Sequence, residues 1–208
     1  LDVIRAALDL LETADTPTIE DYPIEADAEG PEPWACPLNL AVEADDSLAG
    51  RVRAEVARLR PWAAETRRNR GRTLFGLSGA GVDQVDEVVD ALLTVVETGD
   101  VDGSPNGEIE WAHEMPFLIR HLVDDLRGYY HEAVAAQPGQ TPPDHDALND
   151  WIFEQTALGE LLIAIGDALT GAEETSPFAP LVRGLTIPEG HYHGRGGFEG
   201  VAGYRPDD

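Results

Sequence analysis

The chain has 208 residues, with 40 acidic and 14 basic side chains and a formal net charge of −26. All of the basic side chains are arginines. This excludes chemistry that needs a lysine amine, such as Schiff-base formation, pyridoxal phosphate attachment or a phosphate-loop lysine. The negative charge also disfavours binding to nucleic acid and to anionic membrane surfaces.

The length and the apolar content are those of an ordinary folded protein. An apolar fraction of 42% in 208 residues is enough to bury a core. Cys36 is the single cysteine, which excludes an internal disulfide, and we interpret it as a buried, unreactive thiol. No apolar run approaches the roughly 18 residues that span a bilayer, and no secretory signal is visible. We therefore predict a cytoplasmic location, and because the chain opens on Leu1 we expect native residues to precede it.

The N-terminal part divides into a helix and a segment without periodicity. Residues 2–12 place apolar side chains at helical spacing, which predicts a short amphipathic helix. Residues 13–44 lose that spacing and combine five prolines with many carboxylates, which predicts an extended acidic connector.

An arginine-rich helix is predicted after the connector. Capping oxygens at residues 45–47 indicate its start, and the apolar residues that follow lie at helical spacing. Pro61 either breaks this helix or restarts it as a first-turn proline, and the run to Arg70 is predicted to be helical. Four glycines between residues 71 and 81 then predict a loop.

Two further helices are predicted in the middle of the chain. Val85 begins an apolar stripe with a period near 3.6 residues that stops at Gly99, where a polar turn follows. Residues 108–136 have the most helical pattern, and Pro116 is predicted to divide a short lead-in helix from a longer one. Breaker residues at 137–144 end this stretch.

One apolar helix dominates the C-terminal part. Residues 146–169 carry a dense run of large apolar side chains, which predicts a continuous helix at the centre of the core. One more turn is predicted at 177–183. The sequence therefore predicts an all-α fold, an irregular bundle of four to six helices forming a single domain over residues 1–185, with a glycine-rich tail at 186–208.

A stripe of acidic and histidine side chains runs along the helix predicted after Pro116. At about 100° per residue, four of them fall together on the flank of its apolar arc: Glu114, His121, Asp125 and Glu132. A carboxylate beside an imidazole at a partly buried position shifts both pKa values and can move a proton. His121, Asp125 and Glu114 are therefore candidate catalytic groups.

The helix predicted over residues 146–169 faces this stripe. It offers Glu154 at the edge of its apolar arc as a fourth candidate catalytic group, and Gln155 within the arc, where an amide needs hydrogen-bond partners. Gly159 and Gly166 lie on one side of the same helix and allow another backbone to approach closely.

The same donors also suit a divalent transition metal as a candidate cofactor. Glu110 and His113 form a Glu-x-x-His pair, and His121 and Asp125 complete a candidate ligand set. Di-iron bundles use that spacing twice and add two further carboxylates, whereas this chain has one copy. The alternative is that His121 and Asp125 form a simple i,i+4 pair without a ligand.

The arginines are concentrated in one segment. Eight of the 14 fall in residues 51–72, where only two glutamates oppose them. One interpretation is that they neutralise the acidic connector of the same chain. The other is that the last of them hold a small anionic ligand or a cofactor phosphate beside the free amide groups of the glycine loop: Arg68, Arg70 and Arg72. The glycine spacing matches neither a phosphate loop nor a dinucleotide-binding motif.

Two kinds of function follow from these residues. The first is a small-molecule-binding protein or enzyme with a carboxylate/histidine site between two core helices. The alternative is a non-catalytic, acidic interaction or regulatory module that contacts a partner protein. A pocket lined by the carboxylates favours the first, and an exposed apolar patch favours the second. His191 and His193, two residues apart in the tail, are a further candidate metal pair.

Overall fold

The structure is a computed structural model that describes residues 2–13, 45–136, 143 and 145–187. These residues form α-helices joined by turns and loops, and none of them lies in a strand. The predicted all-α fold is therefore confirmed. The predictions for most of the connector and tail, for Cys36 and for His191 and His193 fall outside the described residues.

Seven α-helices occur in the described part of the chain. They are α1 (Asp2–Thr13), α2 (Leu48–Arg70), α3 (Val85–Thr98), α4 (Phe117–Ala135), α5 (His145–Gln155), α6 (Ala157–Gly171) and α7 (Ala179–Thr186), with a 3-10 turn at Val82–Gln84 before α3. The chain divides into two compact units, Leu1–Ala35 and Cys36–Asp208. Helix α1 belongs to the first, and α2 to α7 form an irregular bundle in the second. No helix in the described ranges is both long enough and apolar enough to cross a membrane.

Helix α2 begins and ends where the sequence predicts. The Ser47 hydroxyl accepts the amide N–H of Gly50 at 3.0 Å, and Gly71 ends the helix in the left-handed conformation at φ 65°. Pro61 lies inside the helix without ending it. The carbonyl that loses its donor to this proline belongs to Ala57 on an exposed turn, where solvent can replace the missing bond.

In the core of the bundle, α2 packs against both α4 and α6, and α3 and α7 also pack against those two helices. Each of the three central helices contributes fully buried leucines: Leu59 from α2, Leu122 and Leu126 from α4, and Leu158 and Leu161 from α6. Burial of each contributes about 1.5–3 kcal/mol relative to exposure. The apolar stripes seen in the sequence are therefore what brings these helices together.

The predicted continuous helix over residues 146–169 is instead two helices, α5 and α6. Thr156 separates them in an extended conformation (φ −120°, ψ 153°), and its hydroxyl accepts the N–H of Gly159 at 3.1 Å. The carboxylate of Glu55 on α2 accepts the N–H of Ala157 at 2.8 Å. The prediction of one helix is wrong because these acceptors, one of them distant in sequence, satisfy the first amides of α6.

Gly159 also explains how closely α5 and α6 approach. A Cβ atom there would lie 2.3 Å from the carbonyl oxygen of Ile152 and 2.7 Å from the Cα atom of Phe153. The sequence predicts a close backbone approach at this glycine, and the approaching backbone is that of the preceding helix.

The lead-in helix predicted before Pro116 does not form. The segment before this proline is irregular, and the Met115–Pro116 peptide bond is cis. The amide N–H of Ala112 donates to the carbonyl of Ser78 at 2.8 Å instead of to a helical partner. Proline also disfavours the helical conformation in the residue that precedes it. The prediction fails because the segment pairs with the loop after α2.

Gly79 is where that pairing is most crowded, and Gly79→Ala is expected to lower the free energy of unfolding by about 2–4 kcal/mol. Its φ is +97°, and a Cβ atom would lie 2.8 Å from both the nitrogen of Ala112 and the carbonyl oxygen of Glu110. Gly71→Ala is the matched control, because φ is +65° there but no atom lies within 4 Å. We expect about 1–2 kcal/mol for the control. Urea unfolding measures both, and equal losses would contradict the close approach.

Candidate functional site

Asp125 is fully buried on α4 and holds the loop that follows α2. Its Oδ1 accepts the amide N–H groups of Gly76 and Leu77, both at 2.8 Å. Its Oδ2 accepts the amide N–H of Ser78 at 3.0 Å and the Ser78 hydroxyl at 2.6 Å. A carboxylate has about four acceptor sites, so this candidate catalytic and metal-binding group is saturated by the fold.

The glycine loop therefore binds a carboxylate, but one from its own chain. The amide groups that the sequence offers to an external anion point to Asp125 instead. The sequence predicts that these amides are free for an external ligand. This prediction is wrong, because they donate to Asp125. Three successive amides around one carboxylate are the arrangement that also binds phosphate in other loops.

Glu132, about one turn before the C-terminal end of α4, also accepts a backbone amide of the loop after α2. It is 2% exposed, and its Oε1 accepts the amide N–H of Leu74 at 2.6 Å. Its Oε2 pairs with a guanidinium nitrogen of Arg67 at 3.0 Å. That guanidinium lies 5.8 Å from the ring centroid of Tyr129, and burial raises the pKa of this phenol to about 12. Glu132 thus fixes the beginning of the loop that Asp125 holds further on.

Glu55 is a third buried carboxylate, and it was not among the predicted site residues. Besides capping α6, it accepts the phenol hydroxyl of Tyr130 at 2.9 Å. Burial raises the pKa of the Glu55 carboxyl, and the hydrogen bonds that it accepts oppose this change. Its position was detectable, because Glu55 lies three residues after Val52 and four before Leu59, inside the apolar stripe of α2.

His113 and His121 lie together at the edge of α4. Their rings stack with centroids 3.7 Å apart and an interplanar angle of 19°. His113 is exposed and His121 is half-buried, and Nδ1 of His121 has no hydrogen-bond partner among the described residues. Burial lowers the pKa of the His121 imidazole, and the nearby His113 lowers it further. His121 is therefore mainly neutral at neutral pH.

The remaining candidate acid/base and metal-binding groups are dispersed. Glu110 and Glu114 are exposed on the irregular segment, and Glu154 is exposed near the end of α5. No hydrogen bond or ion pair within the described ranges joins Glu154 to His121 or Asp125. Helix α5 contacts the part of α4 that lies C-terminal to His121 and Asp125. There the Arg127 guanidinium donates to Asn149 at 3.2 Å, and the Tyr130 and Trp151 rings lie 6.1 Å apart.

Gln155 is exposed, so its predicted position inside an apolar arc is wrong. The angular count assumed one straight helix, and the break at Thr156 removes Gln155 from that arc. The next residue, Thr156, is buried.

The candidate metal ligands are brought together only in part. In the described residues, no group of three or more histidine, cysteine or acidic side chains is arranged to hold a metal ion. Of the predicted set, His113 and His121 are adjacent, while both oxygens of Asp125 are engaged by the loop.

Most arginines of the basic segment are paired with carboxylates of the bundle itself. Arg53 and Arg60 bind Asp90 and Asp86 on α3 at 2.8 and 2.7 Å. Further pairs join Arg51 with Glu160, Arg67 with Glu132, and Arg68 with Glu65. Arg70 and Arg72 are exposed, and no acidic partner for either lies within the described part of the chain. Among the described residues, internal neutralisation therefore involves helices of the bundle and does not include Arg70 and Arg72.

Comparison of the chain with protein-family models, curated protein sequences and solved structures gave no match. The class of protein is therefore defined by its own fold and charge. It is a lysine-free, strongly acidic, all-α protein in which buried carboxylates hold loops and helix starts by their amide groups.

Lowering the pH is expected to reduce the free energy of unfolding of the native chain more than that of a His121→Gln variant. The pKa of His121 is lowered in the folded state. Its contribution to the free energy of unfolding is therefore present above the unfolded-state pKa of about 6.5 and is lost as the pH falls through the folded-state pKa. His113, Asp124, Asp125 and Arg120 are the charged or titratable groups that act on this imidazole. Acidification also relieves carboxylate repulsion, so the informative quantity is the difference between native and variant unfolding free energies at pH 7.5 and pH 5.5. The same difference at both pH values would contradict the prediction.

Proposed function

We propose that this protein is a non-catalytic protein-interaction module and that α1 is its recognition helix. One observation carries the proposal. Four large apolar side chains of this helix are 55% to 80% exposed: Val3, Ile4, Leu8 and Leu11. No residue of α1 is buried. Ile4, Leu8 and Leu11 follow the i, i+4, i+7 spacing with which amphipathic helices occupy a groove of a partner.

The partner that fits this helix is a protein with an apolar groove bordered by basic side chains. Three carboxylates on α1 oppose one arginine: Asp2, Asp9 and Glu12 against Arg5. The first 44 residues of the sequence contain eleven acidic residues and one basic residue. Such a segment is repelled by anionic membranes and attracted to a basic rim.

Burial of the apolar face supplies the free energy for this interaction. Each side chain that is covered contributes about 1.5–3 kcal/mol, part of which is offset by ordering the helix and its partner. An isolated helix of 12 residues is only marginally stable in water. Binding is therefore expected to increase the helicity of residues 2–13.

The proposal is tested by photocrosslinking in native cells with p-benzoylphenylalanine in place of Leu8, and at the exposed, uncharged Thr13 on the opposite face as the matched control. We expect one protein adduct from position 8 and none from position 13. With the captured partner purified, Leu8→Gln combined with Leu11→Gln is expected to weaken binding by about 100-fold. Asp9→Gln combined with Glu12→Gln is expected to weaken it less and to reduce its salt dependence. Adducts from both faces, or an adduct with a second copy of this chain, would contradict the proposal.

A second candidate function is the small-molecule or metal site anticipated from the sequence, now centred on the histidine pair. The stacked imidazoles of His113 and His121 support it, and Glu110 and Glu114 lie on the same segment as His113. The metal content of protein purified without chelator tests this candidate. Stoichiometric metal that His113→Asn and His121→Asn both remove would support it, and a chain that takes up no added metal would contradict it. A cytoplasmic location remains part of either proposal and is tested by cell fractionation.

A further inference from the structure

The end of α2 and the loop that follows it present two arginines and two leucines to solvent. Leu74 and Leu77 are 49% and 51% exposed, and Arg70 and Arg72 are exposed without an acidic partner among the described residues. We call these four residues the arginine–leucine platform. The arginine before them, Arg68, is instead paired with Glu65 one turn earlier.

Two buried carboxylates of α4 accept the backbone amides of the two platform leucines. Glu132 accepts the amide N–H of Leu74 at 2.6 Å, and Asp125 accepts that of Leu77 at 2.8 Å. Between the two leucines, Phe75 is buried, with its ring 6.4 Å from the ring of Tyr129. The leucines therefore point outwards from a loop whose backbone is tied to α4. A surface that is ordered before binding loses less conformational entropy when a partner docks.

We propose that the platform binds an acidic amphipathic helix of another protein. Apolar side chains of that helix cover Leu74 and Leu77, and its carboxylates pair with the guanidinium groups of Arg70 and Arg72. Guanidinium groups form two parallel hydrogen bonds to a carboxylate, which favours such a partner geometrically. The formal charge of −26 repels an acidic segment from the remaining surface, so these arginines also orient it.

The leucines distinguish this partner from a small anion or a nucleic acid. A phosphate needs the arginines alone, and it would leave the two half-exposed leucines uncovered. Exposed apolar side chains with polar residues around them are typical of protein-binding surfaces, and arginine is enriched in such interfaces. This proposal does not depend on the role proposed for α1, since every residue in it belongs to the bundle or to its loop.

Three synthetic 12-residue peptides test the proposal against the full 208-residue chain by fluorescence anisotropy. The first has a leucine stripe flanked by glutamates, the second replaces the glutamates by lysines, and the third replaces the leucines by serines. We expect only the leucine–glutamate peptide to bind. Arg70→Gln combined with Arg72→Gln is expected to weaken this binding by about tenfold or more, and Leu77→Ser by a similar factor.

Arg68→Gln is the matched control, because Arg68 is also exposed but is already paired with Glu65. We expect it to change the affinity by less than about twofold. Equal binding of the serine–glutamate peptide would overturn the proposal in favour of a small-anion site. Equal binding of the lysine peptide, an equal effect of Arg68→Gln, salt-dependent binding of an oligonucleotide, or no binding of any peptide would also overturn it.

Discussion

Replacement of Asp125 by asparagine is expected to lower the free energy of unfolding by about 3 kcal/mol or more. The side chain keeps its shape, but its NH2 group faces the Ser78 amide, which then has no acceptor. A buried donor without a partner costs about 1–3 kcal/mol, and hydrogen bonds to a charged acceptor are stronger than those to a neutral one. Since a domain is typically stable by about 5–15 kcal/mol, a large share of the total depends on this one carboxylate.

The adjacent residue offers a matched control for this substitution. Asp124 is half-buried and pairs with Arg120 at 3.2 Å on the flank of α4. Asp124→Asn is expected to cost less than about 1 kcal/mol, as is usual for such pairs. Hydrogen exchange at the amides of Gly76, Leu77 and Ser78 provides a local measurement. Equal stability of the two variants, or unchanged exchange at the loop, would show that Asp125 does not hold it.

Replacement of Glu55 by glutamine is expected to lower the free energy of unfolding by about 2 kcal/mol. Its carboxylate accepts the N–H groups of Ala157 and Leu158 at 2.8 and 3.3 Å, together with the hydroxyl of Tyr130. Glutamine has one acceptor oxygen for these three donors. The start of α6 should loosen first, which hydrogen exchange at Ala157 and Leu158 would detect.

Glu65 on the same helix is the control for Glu55. It is half-exposed and pairs with Arg68 three residues later. Glu65→Gln is expected to change stability by less than about 0.5 kcal/mol. A second check uses pH. Because burial raises the pKa of Glu55, the part of the stability that depends on protonation of this carboxyl is present below its unfolded value of about 4.3 and is lost as the pH rises through the folded value. That component should disappear in Glu55→Gln. Its persistence, or equal losses in the two variants, would contradict the assigned role.

The buried carboxylates also connect the fold to the proposed interaction surface. Asp125 and Glu132 hold the loop that carries Leu74 and Leu77. A substitution that releases the loop should weaken peptide binding even though it touches no platform residue. Asp125→Asn is therefore expected to reduce affinity for the leucine–glutamate peptide, whereas Asp124→Asn is not.

Most of the secondary structure could be predicted from the sequence because its signals are local. The cap at Ser47, the left-handed glycines Gly71 and Gly99, and the valine stripe of α3 each depend on a few neighbouring residues. The errors occur where a distant group changes a local preference. Glu55 starts a new helix at Ala157, and the Ser78 carbonyl binds Ala112 in a segment predicted to be helical.

The candidate site was less predictable, for the same physical reason. The angular pattern predicted that His121, Asp125 and Glu132 lie on the partly buried flank of α4, but Asp125 and Glu132 are at most 2% exposed, and the pattern carried no information about their partners. Asp125 and Glu132 accept amide groups of a loop about 50 residues earlier in the chain, and Glu154 belongs to a helix that contacts a different part of α4.

The amino-acid sequence alone determined the absence of lysine chemistry, the strong negative charge, the all-α class and the amphipathic pattern of α1. Only the tertiary structure decided which carboxylates are buried and which arginines pair with carboxylates of the bundle. Helical periodicity depends on residues three or four apart, whereas the state of a carboxylate depends on which amides and cations reach it through space. Packing brings together groups such as Asp125 and Ser78, and no local sequence pattern indicates that they are in contact.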